Sequence, residues 1–519
     1  MRKRRAGIVA FVALLATGCP GQTVAPPPPH TPGPAKTADT KTTQPEVAPE
    51  SKEPPPESAP PRPVSAPKTT AIELKNGLRV VSLLDRAVPV VHLRVAVLAG
   101  TAVDGERTGL AAVCARAVAS SGAGALDTIG LQKRFAELGA GLSVDVGPDR
   151  VVYGLSVTTG RLAEAVEVLA SVLGRPRLET KDVERVQAAL AERAAERARS
   201  DGAWGALMML HRDLFALPSE HHPYASYDAT AEEIAQIKPA DCKEYHRRHF
   251  VPKNMIVVIT GDAPADEVRK VATTHLGGLS GKTPPALSFT DPMPTESTKI
   301  TLVDRPGSAQ SEIFVGSLGP KESDAGFPAF LLAAEVLGGP VTGRLTVDLR
   351  DKRGLASRSF VETVPFANGP SAFYAYTRTN NERTGEALVA LLDHQRTLTK
   401  EAPSPREVEA AARFLGGSRA VSTSRPGGRA DDLCDLGARG LPDEALDERI
   451  AAIRGMSPEA AAKAFAEHVR PGHAVIVVSG DATSVGPLLQ RFGEVKVVDP
   501  TRRFTRTRTL PAAAPTNHP

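Results

Sequence analysis

The sequence predicts an α+β protein whose globular part consists of two similarly folded domains. Strand patterns come first and helical patterns cluster later in the opening part of the chain, which favours helices packed on a sheet. A segment of the chain then recurs about 219 residues later with its proline and glycine spacings kept, which indicates a repeated domain. We expect domains at 68–282 and 298–497, joined by a Pro/Thr-rich linker at 283–297.

The elements of the first domain can be predicted in order. The segment TAIELKNGLRVVSLLD alternates apolar and polar residues around Asn76 and Gly77, which is a strong hairpin signal. The segment VPVVHLRVAVLAG is typical of a strand, and TGLAAVCARAVASSGAGAL has the apolar spacing of a short helix. We expect further helices at 128–138, 160–173 and 181–199, with a hairpin through LSVDVGPDRVVYGLSV before the last two.

The repeat consists of a helix, a proline turn and a strand. Its first copy, EEIAQIKPADCKEYHRRHFVPKNMIVVITGD, ends at Asp262, and its second, ERIAAIRGMSPEAAAKAFAEHVRPGHAVIVVSGD, ends at Asp481. Both copies close with a continuous apolar run followed by Gly-Asp, which predicts a buried strand. The shared pattern therefore predicts that the two domains have one fold.

The N-terminus resembles a bacterial lipoprotein signal peptide. Basic residues 2–5 precede an apolar stretch that is too short to span a bilayer. The stretch ends in LATGC, which resembles a lipobox, so we expect a signal peptide at 1–18 and lipid attachment at Cys19. The alternative is an ordinary signal peptide with an incidental cysteine. Pro20 replaces the aspartate that signals inner-membrane retention, so we expect a cell-envelope protein, lipid-anchored in the outer membrane and facing the periplasm.

Both ends of the globular part are predicted to be disordered. Residues 20–67 contain 16 prolines among Lys, Glu, Thr and Ala, and such a segment cannot bury a core. We therefore expect a disordered tether at 19–67. The C-terminal segment 498–519 includes the short basic stretch TRRFTRTRTL, and we expect a solvated tail there, with a surface-binding tail as the alternative.

Charge and cysteine usage exclude several function classes. The net charge of +4 comes from the basic N-terminus, and no basic patch is interleaved with aromatic residues, so we expect no nucleic-acid partner. Cys114, Cys242 and Cys434 are widely spaced without a C-x-x-C pattern, which argues against a zinc knuckle or a redox motif. A disulfide between two of these cysteines is possible, but the sequence does not identify the pair.

Over roughly 70–497 the chain is similar to the pitrilysin/insulinase family of metallopeptidases. The layout is closest to the two-domain processing-peptidase subunits. The similarity depends on several segments in a fixed order: LKNGLRVV, GLAAVCARAV, HHPYASYDATAEEIAQI, FVPKNMIVVITGD and LGGPVTGRLTVDLRDKRGLA. The resemblance implies a processing-peptidase-like metallohydrolase fold of two homologous two-layer α/β sandwich domains. Each would have a mostly antiparallel sheet with helices on one face.

The family's zinc motif is degenerate in this sequence. Active members carry H-x-x-E-H on the first helix, where two histidines bind zinc and the glutamate activates a water molecule. The alignment implied by the resemblance places Ala112 and Arg116 at the histidine positions and Ala115 at the glutamate position. Alanine has no ligand atom, and arginine does not deprotonate in a protein. We therefore expect no catalytic residue and no metal site.

A remnant of the distal metal ligand is predicted at Glu192, 76 residues after Arg116. Its ordinary alternative is a solvated glutamate among charge pairs on a helix. A further hypothesis is that Arg116 and Glu192 form an ion pair across the former zinc site.

The family's substrate clamp is also incomplete. An arginine followed seven residues later by a tyrosine binds the peptide in active members, whereas this chain has Arg350 followed by Ser357. Arg350 is the residue that we expect to contact a peptide, with a structural ion pair to a nearby acid as the alternative. His246 and His249 could share a metal from one helix, but a surface-helix role is favoured because they lie in the repeated segment. His221 and His222 match a family loop that is structural.

These observations predict a non-catalytic peptidase-like lipoprotein that acts as partner, scaffold or peptide-binding subunit of an active zinc peptidase. We expect no cofactor. The expected partners are a catalytic family subunit, a peptide and a membrane reached only through the lipid anchor, and we expect a homo- or heterodimer. One alternative is an active zinc-dependent endopeptidase with unrecognised ligands, which would bind zinc. Another is a structural envelope protein that binds no peptide.

Overall fold

The computed structural model describes residues 68–218 and 221–513. The predicted signal peptide at 1–18, the lipid attachment site at Cys19 and the tether at 19–67 lie outside the described residues. Within the described part of the chain, no helix combines the length and the apolar character needed to cross a membrane.

The first half contains a six-stranded sheet. Its strands in chain order are β1 (Thr70–Glu73), β2 (Arg79–Leu84), β3 (Val90–Val97), β4 (Ser143–Val146), β5 (Val151–Thr158) and β6 (Met255–Gly261). The spatial order is β1-β2-β6-β3-β5-β4, and every neighbouring pair is antiparallel except β2 and β6. The predicted hairpin turn joins β1 to β2, with Gly77 in the left-handed region at a φ of 83°.

The helices of the first half lie close to their predicted positions where a prediction was made. They are α1 (Leu110–Ser120), α2 (Thr128–Glu137), α3 (Leu162–Gly174), α4 (Thr180–Ser200), α5 (Gly202–Leu214), α6 (Ala231–Ala235), α7 (Pro239–His249) and α8 (Ala265–Leu276). An apolar core fills the space between the sheet and α1, α3 and α8.

The second half contains a seven-stranded sheet. Its strands are β7 (Lys299–Asp304), β8 (Gln310–Leu318), β9 (Arg358–Val364), β10 (Ala372–Asn380), β11 (Val475–Gly480), β12 (Val495–Asp499) and β13 (Thr505–Leu510). The spatial order is β13-β12-β7-β11-β8-β10-β9, with β12, β7 and β11 parallel to one another and the other pairs antiparallel.

The helices of the second half are α9 (Phe327–Gly338), α10 (Thr384–Lys400), α11 (Pro405–Thr423), α12 (Pro426–Ala438), α13 (Ala445–Arg454), α14 (Pro458–His468) and α15 (Ala482–Leu489). A π-helical segment, Thr346–Lys352, follows α9. The predicted linker at 283–297 forms neither helix nor strand.

The sequence repeat has one structure in both halves. In the first copy α7 leads through a short 3-10 turn, Pro252–Asn254, into β6, and in the second α14 leads through Pro471–His473 into β11. Both strands lie inside their sheets and all their residues are buried. The α+β class and the two-domain sandwich are therefore confirmed.

Each half contributes one helix that covers the sheet of the other half. The prediction of helices on one face holds within each half. The opposite face of the second sheet is covered by α5 of the first half, and the opposite face of the first sheet is covered by α12 of the second half. The physical reason is the apolar character of the central strands, since strands buried on both faces need a cover on each side. Trp204 of α5 packs with Phe504 beside the second sheet, and Leu433 of α12 lies on the first.

Ion pairs hold α12 on the first sheet. Arg94 Nε lies 2.5 Å from Asp431, and Arg150 lies 2.5 Å from Asp435. Both arginines are largely buried, so these contacts are more shielded from water than an ordinary surface pair. The free cysteine Cys434 is fully buried between the same surfaces.

The predicted disordered tail at 498–519 is wrong for its described part. Residues 505–510 form β13, which pairs antiparallel with β12 at the edge of the second sheet. Phe504 is buried beside Trp204, and alternating threonines favour an extended backbone, so the segment is part of the fold despite its arginines. Residues 514–519 lie outside the described residues.

Candidate functional site

Helix α1 contains Ala112, Ala115 and Arg116, which the sequence predicts to lie at the positions of the family's zinc motif. The start of this helix is fixed by one carboxylate. Both oxygens of the buried Asp104 accept hydrogen bonds from the backbone, one from Gly109 and one from Ala111, each at 2.8 Å. These bonds satisfy amide groups that a helix N-terminus otherwise leaves unpaired. Burial raises the pKa of Asp104 to about 7, although the amide donors act in the opposite direction.

The buried face of α1 is tied to its neighbours by a disulfide and a hydrogen bond. Cys114 is bonded to Cys242, which joins α1 to α7. The hydroxyl of Tyr153 on β5 donates to the backbone oxygen of Ala115 at 2.8 Å. The sequence left the disulfide pair open, and the structure identifies it. Because α1 is held on two sides, its remaining face has a defined position.

That remaining face presents Ala112 and Arg116. Both are half-buried, whereas Ala115, at the position of the family's catalytic glutamate, is fully buried. The guanidinium of Arg116 donates from Nη1 to the backbone oxygen of Ala112 at 2.9 Å. Burial lowers the pKa of Arg116, but an arginine stays protonated in a protein, so the site carries a fixed positive charge.

The hypothesised ion pair between Arg116 and Glu192 is wrong. Glu192 lies exposed on α4, and among the described residues Arg116 forms no ion pair. The physical reason is local, since the Arg116 side chain folds back on its own helix and bonds to the preceding turn. Glu192 is thus a solvated helix residue, which was the ordinary alternative.

The residues at the predicted zinc-motif positions do not fit a metal ion. Two alanines and a cation supply no ligand atom, and Glu192 alone does not make a zinc site. Within residues 68–218 and 221–513, no group of three or more His, Cys, Asp or Glu side chains is placed to hold a metal ion. No hydrolytic step can therefore be derived from these positions.

An open groove of about 560 Å³ lies where α1, α2 and β4 meet. Its lining combines one cation, several apolar side chains and a few neutral polar groups: Arg116, Ala119, Ser120, Thr128, Leu131, Gln132, Phe135, Ala136, Ala140, Gly141, Leu142 and Val144. Val144 belongs to β4, which among the described residues pairs with β5 alone and forms one edge of the sheet. The groove therefore lies beside an edge strand whose outer backbone groups have no strand partner in the described part of the chain.

Arg350 and Ser357, the residues at the predicted clamp positions, do not come together in a substrate clamp. Arg350 is exposed in the π-helical segment and lies 2.7 Å from its neighbour Asp351, and this pairing raises the pKa of Arg350. Ser357 is also exposed. The structure therefore shows the ion-pair alternative for Arg350, and its peptide contact stays a prediction.

The histidines singled out in the sequence have structural surroundings. His246 donates from Nε2 to the backbone oxygen of Leu173 at 2.7 Å, and His249 packs beside Tyr245. His222 accepts from the backbone N–H of Tyr224 at 3.1 Å. Burial lowers the pKa values of His222 and His249 to about 4. His222 therefore has a structural role, as predicted. The surface-helix role predicted for His246 and His249 is wrong for His249, which is buried, and His246 is half-buried, because α7 packs against α1.

Two family models match consecutive parts of the chain, the second beginning just before α7. The model described as Insulinase (Peptidase family M16) matches residues 79–224, and the model described as Peptidase M16 inactive domain matches residues 236–415. Together they cover well over half of the sequence. The chain belongs to peptidase family M16.

Relatives of this M16 chain include proteins named as inactive and as active. The non-peptidase homolog YmxG of Helicobacter pylori is 24% identical over 351 residues, which are 66% of this chain and 78% of that protein. The zinc protease PqqE of the same organism is 25% identical over 340 residues, covering 63% and 74% of the two chains. With the degenerate motif, these relationships support a peptidase-like, non-catalytic protein.

A solved structure shows the same fold. The peptidase M16 inactive domain from Pseudomonas fluorescens matches with a TM-score of 0.73 at 23% identity, covering 80% of this M16 chain and 98% of that one. At this identity the likeness concerns the fold alone.

Sequence reasoning missed two parts of the site: the disulfide behind α1 and the edge strand beside it. A signal for the disulfide was present, because Cys242 lies where the second repeat has Ala461 and Cys114 lies on the apolar face of α1. A cysteine that the second repeat lacks, together with a cysteine on the apolar face of another helix, could have suggested a bond between the two. The edge position of β4 had no such signal, because strand order depends on contacts far apart in the chain.

Proposed function

We propose that this protein is a non-catalytic, peptide-binding M16 subunit that works in the cell envelope beside an active zinc peptidase. The observation that carries the proposal is the outer edge of β4 next to the groove at Arg116, which no strand pairs with in residues 68–218 and 221–513. An edge strand offers a row of backbone donors and acceptors to which an extended peptide can add.

The groove gives such a peptide places for its side chains. Leu131, Phe135 and Leu142 form apolar walls, while Thr128 and Gln132 contribute polar groups. Alternate side chains of a peptide added to β4 would point toward these walls. Since Ala112, Ala115 and Arg116 offer neither zinc ligands nor a general base, the bound peptide would be held without being cut.

The compartment and the partner are parts of the same proposal. A disulfide between Cys114 and Cys242 suits an oxidising compartment, which supports export. Lipid attachment at Cys19 would place the protein at the outer membrane, with residues 19–67 as a tether. An active family member carrying H-x-x-E-H would supply the hydrolytic chemistry. Co-elution of the purified protein with such a subunit supports this partnership, and separate elution of the two under matched conditions contradicts it.

Peptide binding can be tested with synthetic heptapeptides in which threonine alternates with valine, leucine or phenylalanine. The full chain is immobilised, and retained peptides are identified by mass spectrometry. The best-retained peptide is then prepared with N-methyl groups on its even-numbered or on its odd-numbered residues. Only one edge of an extended peptide can face β4, so one N-methylated form should lose binding and the other should keep it. Equal binding of both forms, or no retained peptide, would contradict strand addition.

Metal analysis distinguishes this proposal from an active zinc endopeptidase. Our proposal predicts that the purified chain contains no stoichiometric zinc and that chelators do not change its behaviour toward peptides. Stoichiometric zinc together with chelator-sensitive cleavage of the same heptapeptides would instead establish the alternative.

A further inference from the structure

The positive charge of Arg116 is not neutralised by a neighbouring acid. The two carboxylates that act on it most strongly are those of Asp228 and Asp145. Each is paired with another cation, since Asp228 accepts from Arg197 at 2.9 Å and Asp145 accepts from Arg150 at 2.6 Å. Burial lowers the pKa of the Arg116 guanidinium. The groove therefore contains a partly desolvated cation without its own counter-ion in the described part of the chain.

A second arginine adds to the positive potential. Arg193 on α4 is exposed and forms no ion pair among the described residues, and its charge further lowers the pKa of Arg116. Two nearby cations would attract a carboxylate from solution and would disfavour a metal cation.

Most of the hydrogen-bonding capacity of Arg116 is unused within the residues that the structure describes. A guanidinium has five N–H donors, and the structure uses one of them, from Nη1 to the Ala112 backbone. The remaining N–H donors lie in one plane and can bind both oxygens of a carboxylate at once. The limited exposure of the site would make such charged hydrogen bonds stronger than those on an open surface.

We propose that Arg116 binds a carboxylate of an extended peptide that lies along β4, so that an anion site has replaced the former zinc site. This inference rests on the peptide-binding function proposed above and names the ligand chemistry of that site. The carboxylate can come from the C-terminus of the peptide or from an acidic side chain, and both sources have the same chemistry at Arg116. The apolar walls formed by Leu131, Phe135 and Leu142 would hold neighbouring side chains of the peptide.

The test uses the same threonine-alternating heptapeptides, N-acetylated, in three forms. One form has a free C-terminal carboxylate, one has a C-terminal amide, and one has the amide together with a single internal glutamate. Each set is passed over the immobilised full chain, and retention is measured by mass spectrometry. We expect a carboxylate-bearing form to be retained about tenfold better than the plain amide. Preference for the free acid alone identifies the C-terminus as the source, and preference for the glutamate form identifies a side chain.

The variant Arg116→Met removes the charge and keeps much of the apolar stem. It should bind all three forms equally, at the level of the plain amide. Arg269→Met is the matched control, because Arg269 is exposed on α8 and forms no ion pair among the described residues, so this variant should keep the wild-type preference. Arg116→Lys retains the charge without the bidentate geometry and should show an intermediate preference, which would separate a binding role from a folding defect.

Two results would overturn the proposal in different ways. Equal retention of the three forms by the wild type, or an unchanged preference in Arg116→Met, would remove the carboxylate contact and leave peptide binding intact. Absence of any retained peptide would instead overturn the peptide-binding function on which the inference rests.

Discussion

The guanidinium of Arg116 donates to the backbone oxygen of Ala112 across 2.9 Å, so the residues at the two histidine positions of the family motif contact each other. They lie four residues apart on one helix and therefore share one of its sides, and Arg116 also lines the groove. The helix itself is held in place by Asp104, Tyr153 and the disulfide of Cys114. The helix that carries the predicted zinc-motif positions is thus held firmly in place, although none of the residues at those positions can bind a metal ion.

A first prediction is that two substitutions restore metal binding. In the variant A112H/R116H, two imidazoles would project from one face of α1, which packs against α4, the helix that carries Glu192. We expect about one zinc ion per chain after dialysis, measured by elemental analysis, and none in the wild type. We expect no peptide hydrolysis, because Ala115 cannot act as a general base.

The control for the restored site is A112H/R116H/E192A. Loss of a third ligand should weaken zinc binding at least tenfold relative to A112H/R116H. A double-histidine variant that holds no zinc would show that α1 no longer has the geometry of the family's metal-binding helix.

The sequence predicted α1 and the repeated elements because their signals are local. The apolar spacing of Leu110, Val113 and Cys114 indicates which face of α1 is buried, and the hairpin at Gly77 needs a left-handed turn that glycine readily supplies. The spacing does not say what covers that face. The bond from Cys114 to Cys242 and the strand order at β4 depend on how distant segments pack, so the sequence hinted at the first and did not establish either.

The exchange of α5 and α12 between the halves shows the same limit. The continuous apolar runs of β6 and β11 indicate strands covered on both faces, but they do not identify the covering helix. The helix that covers β6 is α12. It carries Asp431 and Asp435, and their partners Arg94 and Arg150 lie more than two hundred residues earlier in the chain. Phe504, which directly precedes β13, packs beside Trp204. The basic composition of this segment predicted a solvated tail and gave no sign of this contact.

A second prediction concerns the disulfide between Cys114 and Cys242, which are 128 residues apart in the chain. A cross-link over such a long loop reduces the conformational freedom of the unfolded chain, so reduction should lower the free energy of unfolding by about 2–4 kcal/mol. Urea unfolding with and without a reducing agent measures the change. The variant C114A/C242A should be insensitive to the reducing agent, and equal unfolding midpoints for the reduced and oxidised wild type would contradict the prediction.

A third prediction concerns acid stability and rests on Glu407 of α11, which pairs with Arg344 just before the π-helical segment. Its carboxylate accepts two hydrogen bonds from Arg344, at 2.7 and 3.1 Å, and one from the backbone N–H of Ser404 at 2.8 Å. The Arg344 guanidinium, followed by the Ser404 donors, lowers the pKa of Glu407 from 4.5 to about 2. The folded state therefore favours the ionised carboxylate.

Because the folded-state pKa is lowered, the stabilisation by Glu407 is complete above the unfolded-state value of 4.5 and is lost as the pH falls toward 2. At pH 7 we expect Glu407→Gln to reduce the free energy of unfolding by about 1–2 kcal/mol, as for the loss of hydrogen bonds to a charged group. The difference from wild type should shrink below pH 4.5 and disappear near pH 2. Urea midpoints of both proteins between pH 7 and pH 3 measure this. Glu409→Gln, which removes an exposed pair with Arg413, should have little effect at any pH. A constant difference between wild type and Glu407→Gln across that range would show that the ionised carboxylate is not what stabilises α11.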